Sequence, residues 1–321
     1  MSRTALPYFL HVILCGACVF AWKNLTSRAT LDATPAPAAL APLATPQPNR
    51  LAFLTNIGLP YEVRITQLRN TLATECSESE IRFLYQLLEK APPRGELPEQ
   101  WYVIANDIMT QILAHETDPQ RFSNNFIGIL NSPHQPEVIR DHSVQFLATW
   151  LNPRAAQATT SSLPTASPEI AGQVLESLAA AAIDPSLEHS TIPSTTLMTL
   201  VDLKRSDSGV DCRQAISTLK PWLGRALQDG STLSNSIRVC AVAAAGILAP
   251  EVFRPAIRYI AYQGNGGSSL RLPAITALGQ AGDEADFPKL RQIASSSPDL
   301  NYAAQNAADS LASRLGLAVP K

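Results

Sequence analysis

Aromatic residues are scarce in this chain of 321 residues, at 6% for Phe, Trp and Tyr together. A core built from it must pack through aliphatic and small side chains, chiefly Leu and Ala. Histidine is rarer still, at His11, His115, His134, His142 and His189. His134 and His142 are eight apart with Pro136 between them, unlike the i, i+4 pair that holds zinc on a helix. Net charge is -2, so the basic excess that drives nucleic-acid binding is missing. No stretch alternates apolar and polar residues for long enough to argue for a sheet.

Cysteine usage excludes a disulfide framework. Of five cysteines, Cys15 and Cys18 lie in an apolar N-terminal stretch. Cys76, Cys212 and Cys240 remain, an odd number at scattered spacing. Cys212 and Cys240 fall in helical patterns and read as small core hydrophobes. Cys15-Gly16-Ala17-Cys18 spells C-x-x-C, but a redox pair needs a strand before it and a helix after it.

What is present is a repeat. Arg238, Ala241, Ala244, Ala245 and Gly246 recur 33 residues later as Arg271, Ala274, Ala277, Leu278 and Gly279. A second step of 33 reaches Ala304, Ala307, Ser310, Leu311 and Ala312. A fixed period in this range marks stacked helical units, each of which needs its neighbours to bury its apolar face. The expected fold is all-α, an α-solenoid of antiparallel helix pairs.

The N-terminus carries a different signal. After a short flank, 1–4, comes Ala5–Trp22, interrupted only by Pro7 and His11 and followed by Lys23 and Arg28. As a helix its 18 residues would span roughly 27 Å, close to a bilayer core. It reads as a signal anchor, a cleaved signal peptide with Val19-Phe20-Ala21 at the cut, or a lipoprotein signal at Cys18. Each fate places the rest of the chain beyond a membrane, in a periplasmic or cell-surface setting. Residues 23–50 form a linker whose Ala/Pro/Thr-rich part, 29–50, favours an extended stalk over a helix.

Helical spacing takes over from about Leu59. Ile81, Leu84, Leu87 and Leu88 share a face, with Ser77 or Ser79 as cap and Pro92-Pro93 beyond the end. Further helices carry Trp101 to Leu113, Phe122 to Leu130 and Ile139 to Leu151. The organisation expected is an N-terminal helical region, 51–151, a polar link, 152–167, and a repeat region, 168–321. Ser167-Pro168-Glu169 opens the latter with a capping hydroxyl, Pro in the first turn and an acid at the positive helix end. Helices are predicted at about 169–183, 194–204, 211–228, 234–248, 252–263, 269–280, 284–296 and 299–315.

Ile237-Arg238 with Ala241 and Ala245, and Leu270-Arg271 with Ala274 and Leu278, resemble the second helix of HEAT repeats. Ile139-Arg140 with Ser143 and Leu147 looks like a further copy. Val174 with Leu178, and Ala215 with Leu219, look like copies without the Arg. The last unit has Ala304 in place of Arg, Pro273 falls in a helix start, and the family's acidic residue before the aliphatic-Arg pair is missing from most units. The resemblance implies that Arg140, Arg238 and Arg271 tie neighbouring units together, a structural role.

Chemistry-bearing motifs are weak. Ser217-Thr218-Leu219-Lys220 matches S-x-x-K, but no K-T-G follows and Ser206-Asp207-Ser208 lies upstream. Gly264-Asn265-Gly266-Gly267-Ser268 precedes a helix without the strand and Lys of a phosphate loop. Deoxyhypusine hydroxylases, a helical-repeat family with a di-iron centre, use several His-Glu pairs; this chain has one, His115-Glu116. Residues 51–150 hold 7 basic and 12 acidic side chains against 8 and 6 in 233–321, which suits solvated helix faces or a basic partner for the N-terminal half. The expectation is therefore a non-catalytic scaffold with no cofactor and no metal, held at a membrane through Ala5–Trp22. Its partner is a protein or peptide, not nucleic acid or a small-molecule substrate. The alternatives are a structural subunit of an envelope complex, and an enzyme using His115, Glu116, Asp141 and His142.

Overall fold

The computed structural model describes residues 49–73, 75–152, 161–206, 208–264 and 267–317. Ala5–Trp22 and nearly all of the expected stalk lie outside them. Among the described residues no helix is long and apolar enough to cross a membrane. A compact unit runs from Asn49.

The fold is all-α. Thirteen α-helices and two 3-10 helices occur among the described residues, without a strand. The helices are α1 (Tyr61–Thr71), α2 (Glu78–Glu89), α3 (Pro98–His115), α4 (Pro119–Asn131), α5 (Glu137–Leu151), α6 (Pro168–Ile183) and α7 (Ile192–Arg205). They continue as α8 (Arg213–Ala226), α9 (Asn235–Leu248), α10 (Pro250–Gln263), α11 (Gly267–Ala281), α12 (Asp286–Ser296) and α13 (Asn301–Leu315). The eight helices expected after residue 168 all occur, with ends displaced by a few residues. Start signals act as their chemistry dictates. Ser77 and Glu80 form a reciprocal capping box on α2, and the Ser167 hydroxyl accepts the Ile170 N–H at 3.3 Å with Pro168 in the first turn of α6.

Packing follows chain order. α1 lies against α3, and α3, α5, α7, α9, α11 and α13 contact one another in succession. α2, α4, α6 and α8 form a second succession, and every even-numbered helix also packs on the odd-numbered helix after it. Small residues at the repeat positions permit this. Ala241, Ala274 and Ala307 are all buried, and so are Gly246 and Gly279. One connected apolar core runs from Leu51 to Leu311. The described part of the polar link, 161–167, is fastened to the end of α3. Ser161 Oγ donates to the Leu113 carbonyl at 2.6 Å and Ser162 N–H to that of Ala114 at 3.0 Å. The Trp150 indole N–H donates to Pro164 at 2.9 Å, and Leu163 is buried.

The three repeat arginines share one geometry. Each reaches back to a carbonyl ten residues earlier, at the C-terminal end of the preceding even-numbered helix. Arg140 Nε donates to Leu130 at 2.7 Å, Arg238 Nη2 to Gln228 at 3.1 Å and Arg271 Nε to Ala261 at 3.1 Å. Arg238 Nε also meets Ala226 O at 3.1 Å. Helix ends leave such carbonyls unpaired, and their partial negative charge favours a cation. The tie thus closes each helix pair on itself, α4 to α5, α8 to α9 and α10 to α11. In the last pair, where Ala304 replaces the Arg, Asn301 Nδ2 donates to Ala294 O instead. Gln228, Ala261 and Ala294 stand 33 residues apart, so the carbonyl keeps the period and the donor changes. Arg271→Met is expected to cost about 1–2 kcal/mol in urea unfolding. Arg213→Met, whose partner is the exposed Asp211 two residues away, is expected to change almost nothing.

Two of the expected repeat copies fall elsewhere. Val174 and Leu178 lie on α6, and Ala215 and Leu219 on α8, in the even-numbered succession. The odd-numbered helix between Ile139 and Ile237 is α7, where Ile192, Thr196 and Leu200 take the buried places of Ile139, Ser143 and Leu147. Pro193 stands where the Arg would be. The 33-residue count breaks on both sides of α7: the link 152–167 and the 3-10 turn Pro185–Leu187 lie between Ile139 and Ile192, and the longer connections on either side of α8 lie between Ile192 and Ile237.

Candidate functional site

Of the four residues weighed as enzyme groups, Glu116 and Asp141 are held in hydrogen bonds and His115 lies in the last turn of α3. Glu116 is fully buried at the end of α3, and five donors converge on its carboxylate. These are the Thr117 and Asp118 N–H groups at 2.8 and 2.9 Å, Arg121 Nε and Nη2 at 2.8 and 2.7 Å, and the Tyr85 hydroxyl at 3.1 Å. Burial alone pushes this carboxyl up, but Arg121 and the two backbone N–H groups outweigh it and hold it below the usual carboxylate range. Asp141 accepts from Thr191 Oγ1 at 3.1 Å and Gln145 Nε2 at 2.8 Å. His142, beside it on α5, has a buried Nδ1 without a partner among the described residues, and burial pushes its imidazole down.

A second carboxylate hub mirrors the first. Asp286 opens α12, is 1% exposed, and accepts from Arg258 Nε and Nη2 at 2.7 and 2.9 Å, Tyr262 Oη at 2.6 Å and Asp283 N–H at 2.9 Å. Again burial raises the carboxyl and the surrounding donors, Arg258 first, bring it below its ordinary value. Tyr85 on α2 and Arg121 on α4 meet at Glu116 in the turn between α3 and α4, while Tyr262 and Arg258 on α10 meet Asp286 at the start of α12, so the hubs splice α2 to α4 and α10 to α12. Sequence reasoning missed this pairing. Tyr85 and Glu116 are 31 residues apart while Tyr262 and Asp286 are 24 apart, so no common spacing announces it.

These groups set a pH dependence. Glu80, paired with Arg50 and bound into the capping box, is held down at about 2, against 4.5 ordinarily. A carboxyl depressed in the folded state stabilises fully above its unfolded value and loses that contribution as pH falls through the folded one. Asp107 runs the other way: burial raises it more than Arg69 lowers it. Glu78 and Asp211 are likewise depressed, each by an Arg partner, and Asp202 is raised by burial, so five depressed carboxyls stand against two raised and the thermal midpoint is expected to fall steadily from about pH 4.5 toward pH 2. A flat profile over that window, measured by circular dichroism melts, would remove the hubs as stabilising elements.

The remaining motifs resolve simply. Ser217 is exposed on α8, Lys220 is half-buried there, and Leu219 between them is core. Gly264 ends α10 in the left-handed region at φ 78°, while Asn265 and Gly266 lie outside the described residues. Among the described residues no three His, Cys, Asp or Glu side chains gather closely enough to hold a metal ion.

A cleft of about 340 Å³ opens where the α6–α7 turn lies beside the α8–α9 turn. Ile183, Pro193, Leu233 and Ile237 give it apolar walls, and Trp222 forms part of the floor with 8% of its surface exposed. Asp184, Glu188, Arg225 and Asp229 stand around the rim. Asp184 caps the 3-10 turn through Ser186 N–H at 2.8 Å, and Asp229 accepts from Tyr259 Oη at 2.8 Å.

No known protein identifies the site. Family models, characterised proteins and solved structures were all compared with the chain, and none matches. The functional reading therefore rests on geometry. Besides the cleft, that geometry includes a surface shared by three helices. Arg205 at the end of α7 donates to Gln280 at the end of α11, across the end of the intervening α9. At the other end Asn235 on α9 donates to Ser269 on α11 at 3.1 Å.

Proposed function

We propose that the described unit is a HEAT-type solenoid serving as a non-catalytic scaffold for a protein or peptide partner, tethered to a membrane through Ala5–Trp22. The observation that carries this reading is the chain-order packing of α3 to α13, with the arginine-to-carbonyl tie repeated at Arg140, Arg238 and Arg271. Units joined in this way present successive helices side by side, and extended surfaces of that kind suit macromolecular partners better than small substrates. The bond from Arg205 to Gln280 supports it, because it draws α7, α9 and α11 into one face. The apolar stretch Ala5–Trp22 and the Pro-rich residues after it supply the tether and its spacer.

The test is a crosslinking pull-down of the full-length chain from native membranes, with the mature N-terminus read by mass spectrometry. A partner recovered in stoichiometric amount with Met1 or Ser2 intact is the expected result. A soluble protein beginning near Trp22 and recovered alone would overturn both the tether and the scaffold.

A further inference from the structure

The side-chain ties leave one helix pair out. α4/α5, α8/α9 and α10/α11 are closed by Arg140, Arg238 and Arg271, and α12/α13 by Asn301. In α6/α7 Pro193 holds the Arg position, and the carbonyl ten residues earlier is that of Ile183, the last residue of α6. No donor reaches that carbonyl among the described residues. A hydroxyl goes unsatisfied here as well. Ser143 Oγ donates to the Ile139 carbonyl at 3.1 Å, whereas the Thr196 hydroxyl in the same place on α7 is fully buried and has no partner among the described residues.

α6 is also lightly anchored. Four of its seven buried side chains are alanine, at Ala171, Ala179, Ala181 and Ala182, and small side chains bury little apolar area. α4 and α8 bring Phe122, Phe126 and Trp222 instead. Among the described residues the one side-chain bond from α6 to another helix is Gln120 to Gln173 at 3.5 Å, near the outer limit for a hydrogen bond. α7, by contrast, is held in its own succession. Thr191 at its N-cap donates through N–H to Glu137 at 2.8 Å and through Oγ1 to Asp141 at 3.1 Å, both on α5, and Arg205 at its far end donates to Gln280 on α11. Room for movement lies beside α6. The cleft of about 340 Å³ is lined by Ile183 and Pro193, the two residues that an arginine tie would join.

We propose that the α6/α7 pair is the flexible joint of the helical array. α6 shifts against α7 while α7 stays bonded to α5 and α11, so the even-numbered succession opens and closes at the cleft and the odd-numbered one does not. Shear between packed helices of this kind changes the curvature of a stacked array without unfolding it. The joint belongs to the fold alone and holds whatever the chain binds.

Hydrogen exchange read by mass spectrometry, on the full-length chain in detergent micelles, compares α4, α6 and α8 directly. Interior amides of α6 are expected to exchange about tenfold faster than those of α4 and α8 once intrinsic rates are divided out. Pro193→Arg, which puts a guanidinium ten residues from the Ile183 carbonyl, is expected to slow α6 about tenfold and to leave α4 unchanged. Arg238→Met is expected to speed α8 by about the same factor, and that change needs no new contact to form. Motion at the cleft itself is read from fluorine resonances of fluorotryptophan-labelled protein, assigned by Trp→Phe changes. The Trp222 resonance is expected to be broadened by exchange between two environments and to sharpen in Pro193→Arg, while those of Trp101 and Trp150 stay sharp in both. An α6 as well protected as α4 and α8 would overturn the proposal. So would unchanged exchange of α8 in Arg238→Met, or a Trp222 resonance as narrow as the other two.

Discussion

Glu96→Gln is expected to destabilise the fold by about 3–5 kcal/mol, more than any other single change considered. Glu96 and Arg64 form a two-pronged ion pair, at 2.5 and 2.8 Å, with side chains 1% and 2% exposed. Arg64 sits on α1, and among the described residues its only other bond is a 3.2 Å contact to the Leu54 carbonyl. Its Nε is buried and unpartnered among the described residues. Loss of the carboxylate charge leaves a buried guanidinium without its counterion. The pair itself contributes far less than that loss suggests, because removing two charges from water costs nearly what their attraction returns. The double change Arg64→Met with Glu96→Leu is therefore expected to come within about 1 kcal/mol of the parent, or above it. Urea denaturation of the three proteins decides the matter. A double variant as unstable as Glu96→Gln would mean that the ion pair, not hydrophobic filling, is what α1 needs.

Gly246→Ala gives the second large effect, and its sign opposes helix propensity. In an exposed helix this change gains about 1 kcal/mol. Here the new Cβ would lie 2.4 Å from Ala277 Cβ on α11, closer than side chains tolerate. Overpacking of this kind costs about 1–3 kcal/mol. The obstacle is a single methyl, so Ala277→Gly in the same chain is expected to restore stability nearly to the parent. Gly279→Ala behaves differently. Its Cβ would meet Ala307 Cα at 2.7 Å and Ala307 O at 2.9 Å, which are backbone atoms. Ala307→Gly removes neither, so no rescue is expected there. Thermal melts of the two single and two double variants test both statements, and rescue of Gly279→Ala would show that α11 and α13 can slide apart.

Most of the local structure was legible in the residues. Periodicity of 3.6 with Pro, Ser and Gly punctuation located the helices after residue 168 to within a few positions, because caps and apolar stripes act over one or two turns. The aliphatic-Arg pattern was also readable, and each of its three arginines makes the same long-range bond. Assignment of Val174 and Ala215 to that pattern failed for a definite reason. Even- and odd-numbered helices both carry buried small and aliphatic residues four apart, so spacing alone does not tell the layers apart, and longer connections on both sides of α7 break the count. The buried carboxylate contacts were not readable either. Glu116 with Tyr85, Asp286 with Tyr262 and Glu96 with Arg64 join residues 24 to 32 positions apart in elements of different length.

Determined by the sequence itself were the all-α class, the helix positions, the 33-residue period and the small residues at its contact points. These follow from backbone hydrogen bonding and side-chain size within one unit. The tertiary structure alone decided which helix lies in which layer, which carbonyl each arginine closes, and which acids are buried. It alone also placed two turns, 45 residues apart in sequence at Asp184 and Asp229, around one tryptophan. Those outcomes depend on how one unit seats on the next, and that seating is set by three-dimensional packing rather than by any local pattern of residues.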